Sequence, residues 1–235
     1  MIVEDAVLIA RTVPEDSKKY GTRICSVWFS EERRELFRVY PLPVSIGMKA
    51  WGVARLNLMR NSTDSRKESW RLVREEGDAI QPVCAADKSE TMRLMRKYCC
   101  DSVRSANAAR LSLAVVKACD ARVYFDRNGS GRVADDQYQL FGEQEKQFAT
   151  ASDYAFTPRI EFTHEGERFD YQLREWGCYE YLRRHGIPKG EWPQWLSVEC
   201  ELLIGNLCAF RNRWLVIHGF KAPSPQKQLT FSGCN

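Results

Sequence analysis

Five consecutive residues, Ser17-Lys18-Lys19-Tyr20-Gly21, offer a hydroxyl, two ammonium groups and a glycine. Such a loop can hold phosphate oxygens through side chains and backbone N–H groups. It can equally be a solvated turn in which Gly21 supplies a positive φ. The G-x-x-x-x-G-K-[ST] pattern of a nucleotide P-loop is absent, so the loop reads as one contact among several. Rings and cations interleave further along. Trp28, Phe29, Phe37 and Tyr40 accompany Arg33, Arg34 and Arg38; Trp51 and Trp70 accompany Arg55, Arg60, Arg66, Lys67 and Arg71. Single-stranded nucleic acid binds such mixtures, its bases stacking on rings while cations follow the backbone. The expected phosphate contacts are Lys18, Lys19, Arg38, Arg55, Arg66, Lys67 and Arg71, and the expected stacking rings are Trp51 and Trp70. Arg38 is placed on an exposed strand face because Phe37 and Val39 should point the other way. The competing expectation is that about half of these rings fill a core.

Other chemistries find less support. Asp153, Glu161 and Glu175 could converge on a cation, but no acid followed by E-x-K gives the spacing of a metal-dependent nuclease. The three histidines, His164, His185 and His218, suit turns and element ends, and no G-x-S-x-G occurs. Nine cysteines without a C-x-x-C do not read as a structural zinc site. An odd count in a chain with no secretory signal points to reduced thiols acting as small hydrophobes. The turn cluster DRNGSGRVADDQ (126–137) lacks the alternating acids and closing glutamate of a calcium loop. No catalytic residue, cofactor or metal is therefore expected.

The 235 residues, 44% hydrophobic and 28% charged, can bury a full core. No run of 18 apolar residues offers a membrane span. The opening MIVEDAVLIA carries acids where a signal peptide carries bases, so a cytoplasmic protein without membrane contact is expected. The net charge of +4 is unevenly spread. Residues 49–74 hold 7 basic against 2 acidic residues, and 88–122 hold 8 against 3. Concentrated positive charge is what polyanion binding requires.

Short runs rich in Val, Ile, Phe, Trp and Tyr, bounded by turn residues, predict strands at 5–11, 23–30, 35–43, 50–60, 69–75 and 110–126. SETMRLMRKYCCDSV (89–103) follows a 3.6-residue period and predicts a helix. PRIEFTH and RFDYQLR flank HEGE as a hairpin. WGCYEYLRRHG predicts a helix near 175–186, and Arg211-Asn212-Arg213 separates two apolar runs of a second hairpin. The expected fold is α+β and β-rich: two small OB-like barrels or sandwiches, each with an accompanying helix. A basic module is expected over 1–126, a linker or long loop over 127–150, and a second module over 151–235.

Three stretches taken together, ARTVPEDSKKYGTRICSVWF with RVYPLP, PRIEFTHEGERFDYQLREWGCYEYLRR, and LLIGNLCAFRNRWLVIHGF, resemble bacterial proteins with two OB-like barrels associated with mobile-element and antiphage defence loci. The resemblance implies binding of nucleic acid or of a partner subunit, and no reaction. The leading expectation is a nucleic-acid-binding accessory protein for single-stranded or locally opened DNA or RNA, working as a complex subunit. Trp176, Tyr179, Trp192 and Trp195 in the near-neutral second module suit either a face for a protein partner or that module's own core. The alternatives are an adaptor that touches no nucleic acid, and a metal-dependent nuclease or small hydrolase.

Overall fold

A computed structural model describes residues 1–74, 79–99, 102–127, 148–185 and 198–221, with only the backbone of Val198. The first barrel uses β1 (Ile2–Arg11), β3 (Gly21–Ser30), β4 (Glu35–Pro43), β5 (Gly52–Arg60) and β6 (Ser69–Leu72). Neighbours run β1-β3-β4-β6-β5, and β5 pairs back onto β1, so the sheet closes. Counted along the chain, these strands are wired 1-2-3-5-4-1. Only the third–fifth pair, β4 with β6, is parallel. This is the five-stranded Greek-key wiring of an OB barrel. Closure pairs every barrel strand on both sides. Two short strands add to the outside: β2 (Glu15–Ser17) on β3 and β7 (Ile80–Ala85) on β5. Alternation sends Leu8, Ile24, Trp28, Phe37, Val39, Leu56, Leu58 and Trp70 inward. The buried Trp28 indole donates to Ser26 Oγ at 2.7 Å, so its one polar atom is satisfied.

The second barrel repeats the wiring. It uses β8 (Leu113–Arg127), β9 (Phe156–His164), β10 (Glu167–Leu173), β11 (Val198–Asn206) and β12 (Trp214–Lys221). They close in the order β10-β12-β11-β8-β9, again 1-2-3-5-4-1 with a parallel third–fifth pair. The chain thus carries two OB-like barrels with few helices. Helix α3 (Trp176–His185) lies between the third and fourth strands of the second barrel. Helices α1 (Lys88–Cys99) and α2 (Val103–Ala108) connect the two barrels. The β9–β10 hairpin turns on Glu165 and Gly166, both at positive φ (49° and 78°), as a two-residue hairpin turn demands.

The expected module limits need one correction. β8 falls inside the expected first module, but it pairs with β9 and β11 and opens the second barrel. Its residues announce a strand; its partners lie far along the chain and leave no local mark on it. Most of the expected linker, residues 128–147, lies outside the described residues.

The barrels meet through an apolar seam. Val7, Ile9, Val27, Phe29 and Leu36, on the outside of β1, β3 and β4, pack against Leu113, Val115, Leu203, Ile217 and Phe220. Met92, Leu94 and Met95 of α1 join the same cluster. Gly205 lets the sheets approach closely: a Cβ there would stand 2.5 Å from Ile217 Cδ1 and 3.3 Å from an Arg38 nitrogen.

Candidate nucleic-acid interface

An OB barrel ordinarily takes oligonucleotides on its second and third strands, between its 1–2 and 4–5 loops. In the first barrel that place is filled by the second barrel. Val27, Phe29 and Leu36 of β3 and β4 lie in the seam. The 1–2 loop (residues 12–20) docks through Val13 N to Arg174 O at 2.9 Å, a Thr12–Glu175 bridge and an Arg174–Glu15 ion pair. The 4–5 loop (residues 61–68) reaches the second barrel through Arg66, Cys208 and Arg211.

A polar network closes the seam next to that 4–5 loop. Arg38 is only 4% exposed and donates to Ser112 O, Ser112 Oγ and Asn206 O. Arg66, 8% exposed, donates to the same Asn206 carbonyl and pairs with Asp64. Glu68 accepts from the backbone N–H and hydroxyl of Ser112, both at 3.0 Å. Burial, together with the nearby Arg66 charge, pushes the Arg38 pKa down to about 10. Burial would raise the Asp64 carboxyl, but hydrogen bonds from Arg66 and Ser69 overcome it and hold it well below the usual carboxylate range. Arg38 and Arg66 are therefore corrected from phosphate contacts to inter-barrel anchors. Alternation places Arg38 on the outer face of β4, but the second barrel keeps that face dry.

The remaining expected contacts fall into separate places. Lys18 and Lys19 are exposed at the tip of the β2–β3 hairpin, where Gly21 has φ 69°. Arg55 and Arg71 lie on the outer face of β5 and β6, Arg55 beside Glu4 at 3.2 Å and Arg71 opposite Met59. Lys67 is exposed on the first barrel's 4–5 loop. Trp70 is corrected from a stacking ring to a core residue: it is 7% exposed inside the barrel, with the Arg60 guanidinium 4.0 Å over its ring. Trp51 remains half-buried beside α1, packed against Phe220 with Lys88 above it. The expected partner face is corrected too. Tyr179 is fully buried against Tyr154 and Val13, and Trp176 packs on the first barrel's core beneath Arg11. Trp192 and Trp195 lie outside the described residues.

Among the described residues, the second barrel's own second–third strand face is uncovered but carries matched charges. Arg159 pairs with Asp126 and Asp170, Arg168 pairs with Glu161, and the Tyr124 hydroxyl donates to Asp170 at 2.7 Å. A polyanion gains little where carboxylates already hold the cations. The paired 4–5 loops differ. In the second barrel that loop (residues 207–213) is held to Ser65 by Arg211 Nη2 at 2.8 Å. It exposes Phe210 at 55%, with the Arg213 guanidinium 4.8 Å over its ring. Lys67 sits two residues beyond Ser65. Lys67, Arg211 and Arg213 make no ion pair among the described residues. The loops, tied together by Arg211 and Ser65, thus present one exposed ring with a cation over it, and two further cations, Arg211 and Lys67, on the same pair of loops. The sequence carried a faint signal, Arg211-Asn212-Arg213 between two apolar runs, but Phe210 reads there as the end of an apolar run.

No group of three or more His, Cys, Asp or Glu that could hold a metal occurs among the described residues. No described helix is long and apolar enough to cross a membrane. A family model described as a domain of unknown function (DUF8758) matches residues 3–101, a span that covers β1 to α1. No curated protein matches the chain. Among solved structures, the chain is similar to one titled as the tetrameric p202 HIN2. The identity is 9% and the TM-score 0.34, over 94% of this chain and 92% of that one. So distant a likeness leaves the OB assignment resting on the strand pairing itself.

Proposed function

We propose that the protein binds single-stranded or locally opened nucleic acid across the surface made by its two 4–5 loops. The observation that carries this is the exposed Phe210 ring with Arg213 over it, on a loop that Arg211 ties to the loop bearing Lys67, these being the loops that OB barrels use for oligonucleotides. A base stacks on the open side of Phe210, the Arg213 guanidinium backs the other side, and Arg211 and Lys67 neutralise flanking phosphates. The seam matters because it fixes one loop against the other. The function proposed is binding, without a reaction. Binding of a labelled oligothymidylate, followed by fluorescence anisotropy across a salt series, tests it. Phe210→Ala should weaken binding by about 5- to 150-fold, the equivalent of about 1–3 kcal/mol. Lys67→Gln, Arg211→Gln and Arg213→Gln should each flatten the log–log salt slope by about 0.7. Unchanged affinity and slope in all four variants would remove this surface from the account.

A protein partner is supported by a different face. Ile2, Asn57 and Val73 form a row across β1, β5 and the end of β6, with Met59 and Arg71 in the next row. Ile2, Met59 and Val73 are exposed large hydrophobics gathered on one side of the first barrel, away from the seam. An adaptor role predicts that Ile2→Glu with Met59→Glu abolishes a native complex while oligonucleotide affinity stays the same.

A further inference from the structure

Two residues that bracket α1 hold backbone conformations their side chains disfavour. Trp51 has φ 65° and Arg34 has φ 55°. A bulky aromatic residue in the left-handed region is an outlier, kept only where its surroundings enforce it. Trp51 is enforced: its N–H donates to Leu8 O and its carbonyl accepts from Ala86 N, both at 2.7 Å. The ring so placed is half-buried, tilted on Phe220, with Lys88 Nζ 5.1 Å above it. The other end of α1 repeats the arrangement. Tyr98 is half-buried, with the Arg34 guanidinium 5.3 Å and Lys97 Nζ 5.0 Å from its ring centre. Between the two ends the basic residues are already matched, Arg93 to Glu90 and Arg96 to Glu201. Lys88, Lys97 and Arg34 are exposed and make no ion pair among the described residues.

We propose that the flank of α1 is a second binding surface for a single strand, in which Trp51 and Tyr98 each stack a base and their three resting cations move to phosphates. This rests on the single-strand reading above and adds to it a separate surface. An exposed cation over a ring is a weak interaction, and a stacked base is worth more, so the exchange runs downhill. The displaced ammonium and guanidinium groups sit on long flexible stems and stay within reach of the backbone they would neutralise. Lys88, whose ammonium lies over Trp51, and Tyr98 are ten residues apart on the helix, a rise of about 15 Å, so the two rings lie at opposite ends of α1. The ligand is therefore an extended strand of several nucleotides with splayed bases; a duplex keeps its bases stacked on one another and cannot offer them to two separate rings.

The test uses the full chain and a labelled oligothymidylate of about 20 nucleotides, longer than the roughly 4–16 that one OB fold covers. The triple variant Lys88→Gln, Lys97→Gln, Arg34→Asn changes only exposed side chains, and asparagine suits the left-handed backbone. It should lower the salt slope by about 2, about 0.7 for each phosphate no longer neutralised. Trp51→Asn with Tyr98→Ala should weaken binding at fixed salt by about tenfold or more. A triple variant with the wild-type slope and affinity overturns the inference, and it does so whether or not Trp51→Asn folds. If Phe210→Ala still weakens binding in that case, the reading of the 4–5 loops survives alone. A wild-type chain that binds no oligonucleotide at low salt ends both.

Discussion

At the scale of single residues, the buried Arg66–Asp64 pair decides how the 4–5 loops are held. Asp64 is 7% exposed in its side chain, and its carboxylate serves Arg66, Ser69 and Cys208. Removing one member of a buried pair strands the other, at a cost of about 3–5 kcal/mol. Asp64→Asn should therefore lower the urea midpoint sharply, whereas Arg55→Gln, whose Glu4 partner is exposed, should stay within about 0.5 kcal/mol of wild type. The pH dependence has a definite sign. The folded-state pKa of Asp64 lies below its unfolded value of about 4, so the unfolded chain binds the proton more tightly. Its contribution is present in full above about pH 4 and is lost as pH falls through the folded value. Unfolding curves across that range should show a steep acid limb that Asp64→Asn flattens; equal limbs would contradict the assignment. Residues of this kind are the hardest to place from the chain alone. Alternation tells correctly which side of β4 carries Arg38, but not that a second barrel covers that side. The expectation for Trp70 fails for the converse reason: its ring points into the barrel core, and Arg60, its partner on the neighbouring strand, covers what is left of it.

At the scale of elements, local chemistry is legible and pairing is not. The Glu165-Gly166 turn, the Trp-led helix and the two hairpins of the second barrel follow from turn residues and hydrophobic period, and they stand where those signals put them. β8 looks like any other strand, and only its ladders to β9 and β11 show which barrel owns it. The same non-local packing explains Gly205. Its strand neighbours Ile204 and Asn206 give no hint that Ile217 and Arg38 occupy the space a Cβ would need. Gly205→Ala should destabilise the chain by about 1–3 kcal/mol through overpacking at the seam. Gly166→Ala should cost about 1 kcal/mol through backbone strain alone, since no atom lies within 4 Å of a Cβ there. Thermal unfolding of both variants checks this, and a neutral Gly205→Ala would mean that the seam can open locally.

At the scale of the whole molecule, the second barrel covers the first barrel's second–third strand face, so the two barrels form one body with their 4–5 loops side by side. The seam joins outer-face residues of both barrels and α1, and the Arg38–Ser112–Asn206 hydrogen bonds lock it. Unfolding should therefore be a single cooperative transition, with tryptophan fluorescence and circular dichroism coinciding. Two separated transitions would show that the barrels stand independently and that the loop surface is not held together. A fold class of two small barrels is readable from strand-length runs. The site is not, because it arises only when residues 61–68 and 207–213 are brought side by side. The most direct measurement of the central claim is photocross-linking of a 5-iodouridine-substituted single strand to the intact protein, with the attached peptides mapped by mass spectrometry. The account predicts adducts on the peptide carrying Phe210, suppressed by unlabelled single strand and by raised salt. Adducts confined to the β9–β10 face, with the Phe210 peptide unmodified, would contradict it.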